Sequence, residues 1–91
     1  MITLFKALSD PTRRAILDML KESDCTAGEI CEAFDMTAPS ISHHLAILKN
    51  AQLVTDTREG RYIRYEINTT VLEEATQWLM KLMDKDSEDK T

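Results

Sequence analysis

Apolar residues recur every three to four positions in five segments of this chain, and that spacing is typical of helices that bury one face. Four of these segments precede Asn50 and one lies near the C-terminal end. The pairs Thr26–Glu29 and Thr70–Glu73 have the spacing of capping boxes, in which a side chain at each position satisfies a backbone N–H of the other. The residues predicted to cap the longer helices are Asp10, Thr26, Thr37 and Thr70.

After Asn50 the apolar period changes to two, which predicts two β-strands around Leu53–Thr55 and Tyr62–Ile67. The polar run Thr57–Arg61 between them predicts a hairpin, with Gly60 free to adopt a positive φ. The predicted order is α-α-α-α-β-β-α, a mainly α fold with a small β-hairpin. We expect one domain over residues 1–83 and an acidic, frayed tail over residues 84–91.

The chain has 91 residues and a composition typical of one small globular domain. A domain of this size has an unfavourable ratio of surface to volume, so a dimer with a shared core is expected. The longest stretch without a charged residue, 36–48, is too short to span a bilayer, and the N-terminal residues lack the order of a signal peptide. Two cysteines are too few for a secreted disulfide scaffold. We therefore expect a cytoplasmic protein that does not insert into membranes.

The charge is distributed unevenly, which matters because a net charge of −5 by itself disfavours a nucleic-acid partner. Residues 37–65 contain four basic and two acidic residues, whereas residues 66–91 contain three basic and seven acidic ones. A DNA-binding surface needs positive potential only where it meets phosphate. The acidic total therefore predicts modest non-specific affinity for DNA without excluding a DNA-binding function.

The third and fourth predicted helices are separated by a tight turn and followed by a basic hairpin, which is the layout of a winged helix-turn-helix. A helix whose leading end carries small polar side chains can enter the major groove and approach base edges. The N-terminus of the preceding helix offers N–H groups to phosphate, and Arg58 and Arg61 on the hairpin can reach a phosphate or the minor groove. The alternative for these two arginines is a solvated turn without a ligand.

Two runs of the chain strongly resemble the ArsR family of bacterial winged-helix repressors: LSDPTRRAILDML, from Leu8 to Leu20, and TAPSISHHLAILKNAQLV, from Thr37 to Val54. The run NTTVL, which begins at Asn68, further resembles the branch of this family that contains the autorepressor of the sporulation-delaying-protein operon. The resemblance implies a homodimeric repressor that binds an imperfect inverted repeat in double-stranded DNA.

The resemblance also implies roles for individual residues. Ala38 stands where many members have a polar side chain such as Gln, so direct readout is lost at that position. Helix geometry bears on the two histidines: adjacent residues on a helix point about 100° apart, so His43 and His44 do not easily share a metal ion. We expect His44 to be a packed, hydrogen-bonded residue instead. Carried over by position, the base contacts are Ser40, Ser42 and His43, and the phosphate contacts are Thr26, Thr37, Arg58 and Arg61. The first and last helices are expected to form the dimer interface through Leu4, Phe5, Leu8, Val71, Ala75, Trp78, Leu79 and Leu82.

Many members of the family release DNA when a metal binds, and the resemblance locates two such sites. One uses the run Glu-Leu-Cys-x-Cys on the third helix; here Ala33 replaces the second cysteine, two residues after Cys31. The other uses Asp and His side chains along the last helix, and no histidine follows His44. Soft-metal sites need several converging thiolates or imidazoles, so we expect neither site and no cofactor. The inducer, whether a small molecule or an anti-repressor protein, is left open.

Cys25 and Cys31 allow an alternative in which oxidation of the thiols releases DNA. Cys25 lies near a predicted helix N-terminus, which lowers the pKa of a thiol and favours oxidation. Cys31 lies among Ile30, Ala33 and Phe34, and is expected to be a buried, inert thiol.

A second alternative is a protein-interaction module that keeps the winged-helix scaffold without binding DNA, which the negative net charge and Ala38 would favour. No catalytic set is present, since Ser42 is next to the histidines in sequence rather than across a cleft from them. Two glycines cannot form a Gly-rich phosphate loop. We therefore predict a transcriptional repressor and no enzyme.

Overall fold

The computed structural model describes residues 2–84, and these form five helices and a three-stranded antiparallel sheet. This confirms the predicted mainly α fold with a β-hairpin and adds one short strand. The predicted acidic tail lies outside the described residues except for Asp84, and the division at residue 83 stays a prediction. The elements are α1 (Ile2–Leu8), α2 (Pro11–Glu22), β1 (Cys25–Thr26), α3 (Ala27–Phe34), α4 (Ala38–Asn50), β2 (Val54–Glu59), β3 (Tyr62–Ile67) and α5 (Thr70–Met83).

Three of the four predicted helix caps are present. The Asp10 carboxylate and the Thr37 hydroxyl each accept a hydrogen bond from the backbone N–H three residues further on, at 3.0 and 3.3 Å. At α3 the capping box is complete: the Thr26 hydroxyl accepts from the N–H of Glu29 (3.2 Å), and the Glu29 carboxylate accepts from the N–H of Thr26 (2.8 Å). These contacts fix where α2, α3 and α4 begin.

The predicted capping box at Thr70 and Glu73 is wrong, because Thr70 is already the first residue of α5. The Asn68 side chain caps the start instead, since its Oδ1 accepts a hydrogen bond from the N–H of Thr70 at 3.3 Å. Thr69 has helical backbone angles, and its hydroxyl donates to the Glu73 carboxylate at 2.9 Å. Asn68 is itself held in place, because its Nδ2 donates to the carbonyl of Gln52 at 2.9 Å.

A single apolar cluster joins the helices to the base of the sheet. Helix α2 contributes Ile16, Leu17 and Leu20, and helix α4 contributes Ile41, Leu45 and Leu48. Of the apolar residues of α3, Ile30 is buried, Phe34 is half-buried and Ala33 is exposed. Burying one aliphatic side chain completely stabilises a fold by roughly 1.5–3 kcal/mol. The largest fully buried side chains are Ile16, Leu20, Ile30, Ile41, Leu45, Leu48, Leu53 and Val54.

Arg13, near the start of α2, fastens both α1 and α4 to that helix. Its Nε donates to the carbonyl of Ala7 (2.8 Å) and its Nη2 to the carbonyl of Lys6 (3.1 Å), both in the last turn of α1. Its Nη1 lies 3.3 Å from Nδ1 of His44 on α4. We call these contacts the Arg13 joint. It satisfies carbonyl groups at the end of α1 that have no partner inside that helix.

Two neighbouring side chains extend the Arg13 joint. Arg14 Nη1 donates to the carbonyl of Leu8 at 2.6 Å, so a second guanidinium closes the end of α1. The His44 side chain is 13% exposed, and its Nδ1 also lies 3.9 Å from the Asp10 carboxylate. The prediction that His44 is packed and hydrogen-bonded is confirmed.

The hairpin of β2 and β3 is longer than the sequence pattern indicated. The two strands pair without interruption from Val54↔Ile67 to Glu59↔Tyr62, so the turn contains only Gly60 and Arg61. Gly60 has a φ of +63°, which glycine adopts without a steric cost. The predicted polar run Thr57–Arg61 is therefore mostly strand.

The strand that the sequence did not predict, β1, adds a third row to the sheet. It pairs with β3 through Cys25↔Tyr65 and Thr26↔Arg64, which gives the strand order β1-β3-β2. Two residues are too few to show a period of two, so the pattern of the sequence gives no sign of this strand.

The second half of α5 projects from the core. Ala75 is buried, but residues 76–84 are all exposed, and the Trp78 ring lies against the Phe5 ring with centroids 6.4 Å apart. Of the residues predicted for a dimer interface, Leu4 and Ala75 are buried in the core of their own chain. Leu8 and Val71 are half-buried. The remaining four are exposed: Phe5, Trp78, Leu79 and Leu82.

Replacing Arg13 with Ala should destabilise the fold, because the carbonyl of Ala7 loses its hydrogen bond to Arg13, the carbonyl of Lys6 loses one of three, and the contact with His44 of α4 is lost. We expect the free energy of unfolding to fall by about 1.5–3 kcal/mol, the usual range for hydrogen bonds to a charged group. Urea denaturation at equal protein concentration measures this. The control is Lys21→Ala, an exposed position at the other end of α2, which should change stability by less than about 0.5 kcal/mol. Equal stability of the two variants would contradict the role of the joint.

Asp10 should make stability depend on pH in the acid range. The backbone N–H of Arg13 holds the pKa of Asp10 below its ordinary value of 3.8. A carboxyl whose pKa is lowered by folding stabilises the fold at pH values above 3.8, and the contribution is lost as the pH falls through the folded-state pKa. Asp10→Asn keeps a good N-cap but does not titrate, so its urea midpoint should fall less than that of the wild type between neutral pH and acid. Identical acid sensitivity in both proteins would refute this assignment.

Candidate nucleic-acid interface

A three-residue turn joins α3 to α4. Asp35 ends α3 in the left-handed conformation, with φ +52°, which aspartate tolerates because its short side chain can bond to nearby backbone. Thr37 then caps α4 two residues later. Two helices joined in this way form a helix-turn-helix.

The side of α4 that faces away from the core is an exposed stripe of mostly short side chains. Ile41, Leu45 and Leu48 face the core, and the exposed positions on the other side are also three or four residues apart. Short side chains let a helix approach base edges closely. We call this set the α4 stripe: Pro39, Ser42, His43, Ala46 and Asn50.

Two of the three predicted base contacts belong to the α4 stripe. Ser42 and His43 are exposed, whereas Ser40 is half-buried beside the stripe, and its backbone N–H is used by the cap of α4. Sequence reasoning missed Ala46 and Asn50. The same spacing that assigns the buried face of α4 could have found them on the opposite face.

The N-termini of α3 and α4 differ in charge. Helix α4 has no acidic residue in its first turn, so the N–H groups near Thr37 keep their partial positive charge. At α3 the N–H of Thr26 donates to the Glu29 carboxylate, and this hydrogen bond holds the pKa of Glu29 below its ordinary value. The Glu29 carboxylate therefore takes one of the N–H groups that the sequence assigned to a phosphate and adds a negative charge beside the others. The hydroxyl proton of Thr26 is left as the donor for its predicted phosphate contact.

The hairpin over residues 54–67 forms the wing. Side chains on a strand alternate between its two faces, so Arg58 lies on the same face as Asp56. Lys49 at the end of α4 donates to the Asp56 carboxylate at 2.9 Å, which shows that this face is directed toward α4. Arg58 lies one alternation further along this face, and Arg61 lies in the turn.

The side chains of Arg58 and Arg61 are both exposed. Within residues 2–84 no carboxylate lies at ion-pair distance from either guanidinium. Arg64 differs from them, because its Nε donates to the Glu59 carboxylate at 2.9 Å. The wing therefore presents two unneutralised positive charges near its tip.

Tyr62 is a further residue of the wing tip that the sequence pattern assigned only to a strand. It is 61% exposed and follows Arg61 directly. Its pairing with Glu59 places it on the face opposite Arg58. An aromatic residue beside basic residues at a hairpin tip is the signal that could have identified it.

Both cysteines are free, and the reasoning that made Cys25 reactive is wrong. Pairing of β1 with β3 leaves Cys25 only 5% exposed, and burial is the main cause that raises the pKa of its thiol. Its Sγ donates to the carbonyl of Ser23 at 3.3 Å. Cys31 is half-buried and packs against the core.

Two further observations concern residues 2–84 only. No three His, Cys, Asp or Glu side chains in this part of the chain lie close enough together to hold a metal ion. None of its helices has the length and apolar character needed to cross a membrane.

Comparison with known proteins gives consistent matches. Residues 10–56 match the family of bacterial regulatory proteins described as arsR. The chain is 52% identical over 89 residues to the transcriptional repressor SdpR of Bacillus subtilis (strain 168), which covers 98% of this chain and 99% of SdpR. It is 33% identical over 85 residues to the arsenical resistance operon repressor of Escherichia coli (strain K12), covering 92% of this chain and 69% of the repressor. An ArsR-like transcriptional regulator from Rhodococcus sp. RHA1 matches with a TM-score of 0.83 at 29% identity, covering 98% of this chain and 82% of that one.

These matches confirm the resemblance seen in the runs that begin at Leu8 and Thr37, and the match to SdpR confirms the narrower resemblance. The solved structure confirms the winged-helix fold. The relatives are transcriptional regulators, which confirms the prediction of a regulator rather than an enzyme. The chain therefore belongs to the ArsR family of bacterial regulatory proteins and is a DNA-binding transcriptional repressor of that type.

Proposed function

We propose that this chain acts as a homodimer whose two α4 stripes read an imperfect inverted repeat from one side of a DNA duplex. Ser42 and His43 reach base edges in the major groove, and Ser40 lies beside them. The two α4 helices are then about 34 Å apart, one turn of B-DNA. The observation that carries this proposal is the α4 stripe itself, an uncharged helix face next to a wing whose two arginines pair with no carboxylate of residues 2–84.

Phosphate contacts come from the edges of this surface. Thr37 stands at a helix N-terminus without a nearby carboxylate in the first turn, which favours an anion. Arg58 and Arg61 carry charges that no carboxylate within the described range neutralises. Thr26 contributes through its hydroxyl proton. Such contacts position the protein on the duplex, whereas the α4 stripe supplies the sequence preference.

The exposed half of α5, together with α1, supports the dimer. Phe5, Trp78, Leu79 and Leu82 are each at least 41% exposed, although they are large and apolar. Monomeric proteins rarely expose contiguous apolar surface of this kind, and it usually marks an interaction site. Leu8 and Val71 extend the same surface. Buried Leu4 and Ala75 support it from beneath.

The repressor is proposed to bind its operator without a metal. Ala33 takes the place of the second thiol on α3, and the described part of α5 has no histidine. The burial of Cys25 favours this simple repressor over one that responds to thiol oxidation. The negative net charge and Ala38 favour an interaction module without DNA binding, whereas the exposed wing arginines, which pair with no carboxylate of residues 2–84, favour a DNA-binding repressor.

Substitutions in the wing and in the α4 stripe should have different effects on DNA binding. Arg61→Ala should weaken binding to all sequences. It should also make the negative slope of log K against log salt concentration shallower by about 0.9 for each protomer. Ser42→Ala and His43→Ala should relax base preference, with about 1–3 kcal/mol lost at the contacted base pair. The operator is first selected from a random DNA pool, and fluorescence anisotropy then measures binding to its single-base variants.

The matched control is Lys21→Ala on α2, which removes one positive charge outside the α4 stripe and the wing. Equal losses on every operator variant for all three substitutions would contradict the division into base and phosphate contacts. Failure of the wild-type protein to select any motif at low salt would instead support the interaction module.

Leu82→Glu should convert the dimer into a monomer. Leu82 is 56% exposed and lies beyond the part of α5 that packs on the core, so a charge there leaves the fold of the single chain intact. Sedimentation over a range of concentrations should show a dimer for the wild type and a monomer for the variant, which should also bind the operator more weakly. The control is Gln77→Glu on the opposite side of α5. A Leu82→Glu protein that stays dimeric would place the interface elsewhere.

A further inference from the structure

We propose that the groove between α1 and α4 is a second site for the DNA backbone, in which Lys6 binds a phosphate of the duplex that α4 enters. This inference rests on the proposed DNA-binding dimer and adds a contact from α1. The groove has a volume of about 640 Å³ and is lined by three residues of α1, by Arg13, and by four residues of α4.

The charge of the groove is favourable for an anion. Lys6 and Arg13 both line it, Thr3 and Asn50 add uncharged hydrogen-bond donors, and its lining contains no carboxylate. Among the residues from 2 to 84, no acidic side chain lies at ion-pair distance from the Lys6 ammonium. Arg13 also interacts with the Asp10 carboxylate, so the free positive charge of the groove is that of Lys6, in a chain whose net charge is −5. That contrast points to a ligand of opposite charge.

The backbone of Lys6 is held in place, although its side chain is exposed. The carbonyl of Lys6 accepts hydrogen bonds from the N–H of Ser9 (3.2 Å), from the Ser9 hydroxyl (2.7 Å) and from Arg13 Nη2 (3.1 Å). The Arg13 joint therefore fixes the point from which the ammonium extends. A fixed attachment point lowers the entropy lost when the side chain binds a phosphate.

The groove continues directly from the α4 stripe. His43, Ala46 and Asn50 belong to both surfaces. The distance along α4 from Ser42 to Asn50 is about 12 Å at the usual helical rise, and the major groove of B-DNA is also about 12 Å wide. When Ser42 and His43 lie at base edges in the major groove, the phosphate backbone at the edge of that groove is expected to lie near Lys6.

The test compares Lys6→Gln with Lys21→Gln, which removes the same charge from an exposed position on α2 outside the groove. We expect Lys6→Gln to reduce the slope of log K against log salt by about 0.9 for each protomer, with the ranking of operator variants unchanged. Lys6→Arg should restore the slope, and Lys21→Gln should leave it at the wild-type value. An unchanged slope for Lys6→Gln, or an equal loss for Lys21→Gln, overturns the proposal.

Operators in which single phosphates are replaced by methylphosphonates locate the contact. At one phosphate in each half-site, the neutral linkage should weaken binding by the wild type but not by Lys6→Gln. If every neutral linkage affects the two proteins equally, Lys6 does not bind phosphate. The wild type and Arg61→Ala are measured on the same operators as controls. If the proposed function fails, the wild type itself binds no operator selectively. If only the Lys6 contact fails, the wild type still binds selectively and Arg61→Ala still weakens binding.

Because α1 belongs to the proposed dimer interface, each variant is first checked for its dimer by sedimentation. Asn50→Asp gives a second test from the opposite wall of the groove, since it adds a negative charge with almost no change of shape. Because Asn50 also belongs to the α4 stripe, its variant is measured on the unmodified operator and on the operator with the neutral linkage at that phosphate. A loss of affinity by Asn50→Asp that the neutral linkage removes supports the phosphate site, even if Lys6→Gln disturbs the dimer. An equal loss on both operators, or wild-type affinity on both, overturns it.

Discussion

One guanidinium group links α4 to α1 and α2 at the edge of the apolar core. Arg13 binds two carbonyl groups of α1 and contacts His44 of α4, so a single side chain connects three helices. Arginine suits this role because its planar group presents several donors in fixed directions and stays charged at every relevant pH. The run Ser9-Asp10-Pro11-x-Arg13 is therefore a structural motif: it ends one helix, begins the next and contacts α4 beside them. Its strong resemblance to other family members does not require that it touch DNA.

A chain with a net negative charge retains a positive surface because its acidic groups are placed selectively. Glu59 neutralises Arg64 and Asp56 neutralises Lys49, whereas Arg58 and Arg61 have no such partner in the described region. Surface ion pairs of this kind contribute little to stability, but they decide which charges remain available to a ligand. A surface with so few unpaired positive charges gains little affinity from non-specific electrostatic attraction to DNA phosphates. In the proposed complex, selective binding therefore depends on shape and on the α4 stripe.

The sequence predicted most of the fold because helices and hairpins carry local signals, and it failed where the outcome depends on distant partners. Caps at Asp10, Thr26 and Thr37 are local, and all three were found. The cap of α5 comes from Asn68, whose position depends on a contact with Gln52, sixteen residues earlier. The pKa of Cys25 follows from pairing with β3, forty residues away in sequence. For the candidate site, the capping box of α3 was predicted, but its consequence was missed: the Glu29 carboxylate takes one of the N–H groups assigned to phosphate.

The short link between α4 and β2 has a consequence for how such a repressor can be switched. Only residues 51–53 separate the two elements, and Ala51 and Leu53 are buried. The backbone N–H of Leu53 donates to the carbonyl of Leu48 at 3.0 Å, and the N–H of Asn68 donates to the carbonyl of Leu53 at 2.8 Å. These two hydrogen bonds couple the base of the wing to α4. In the proposed dimer, an inducing signal that changes the distance or the angle between the two halves therefore displaces α4 and the base of the wing together.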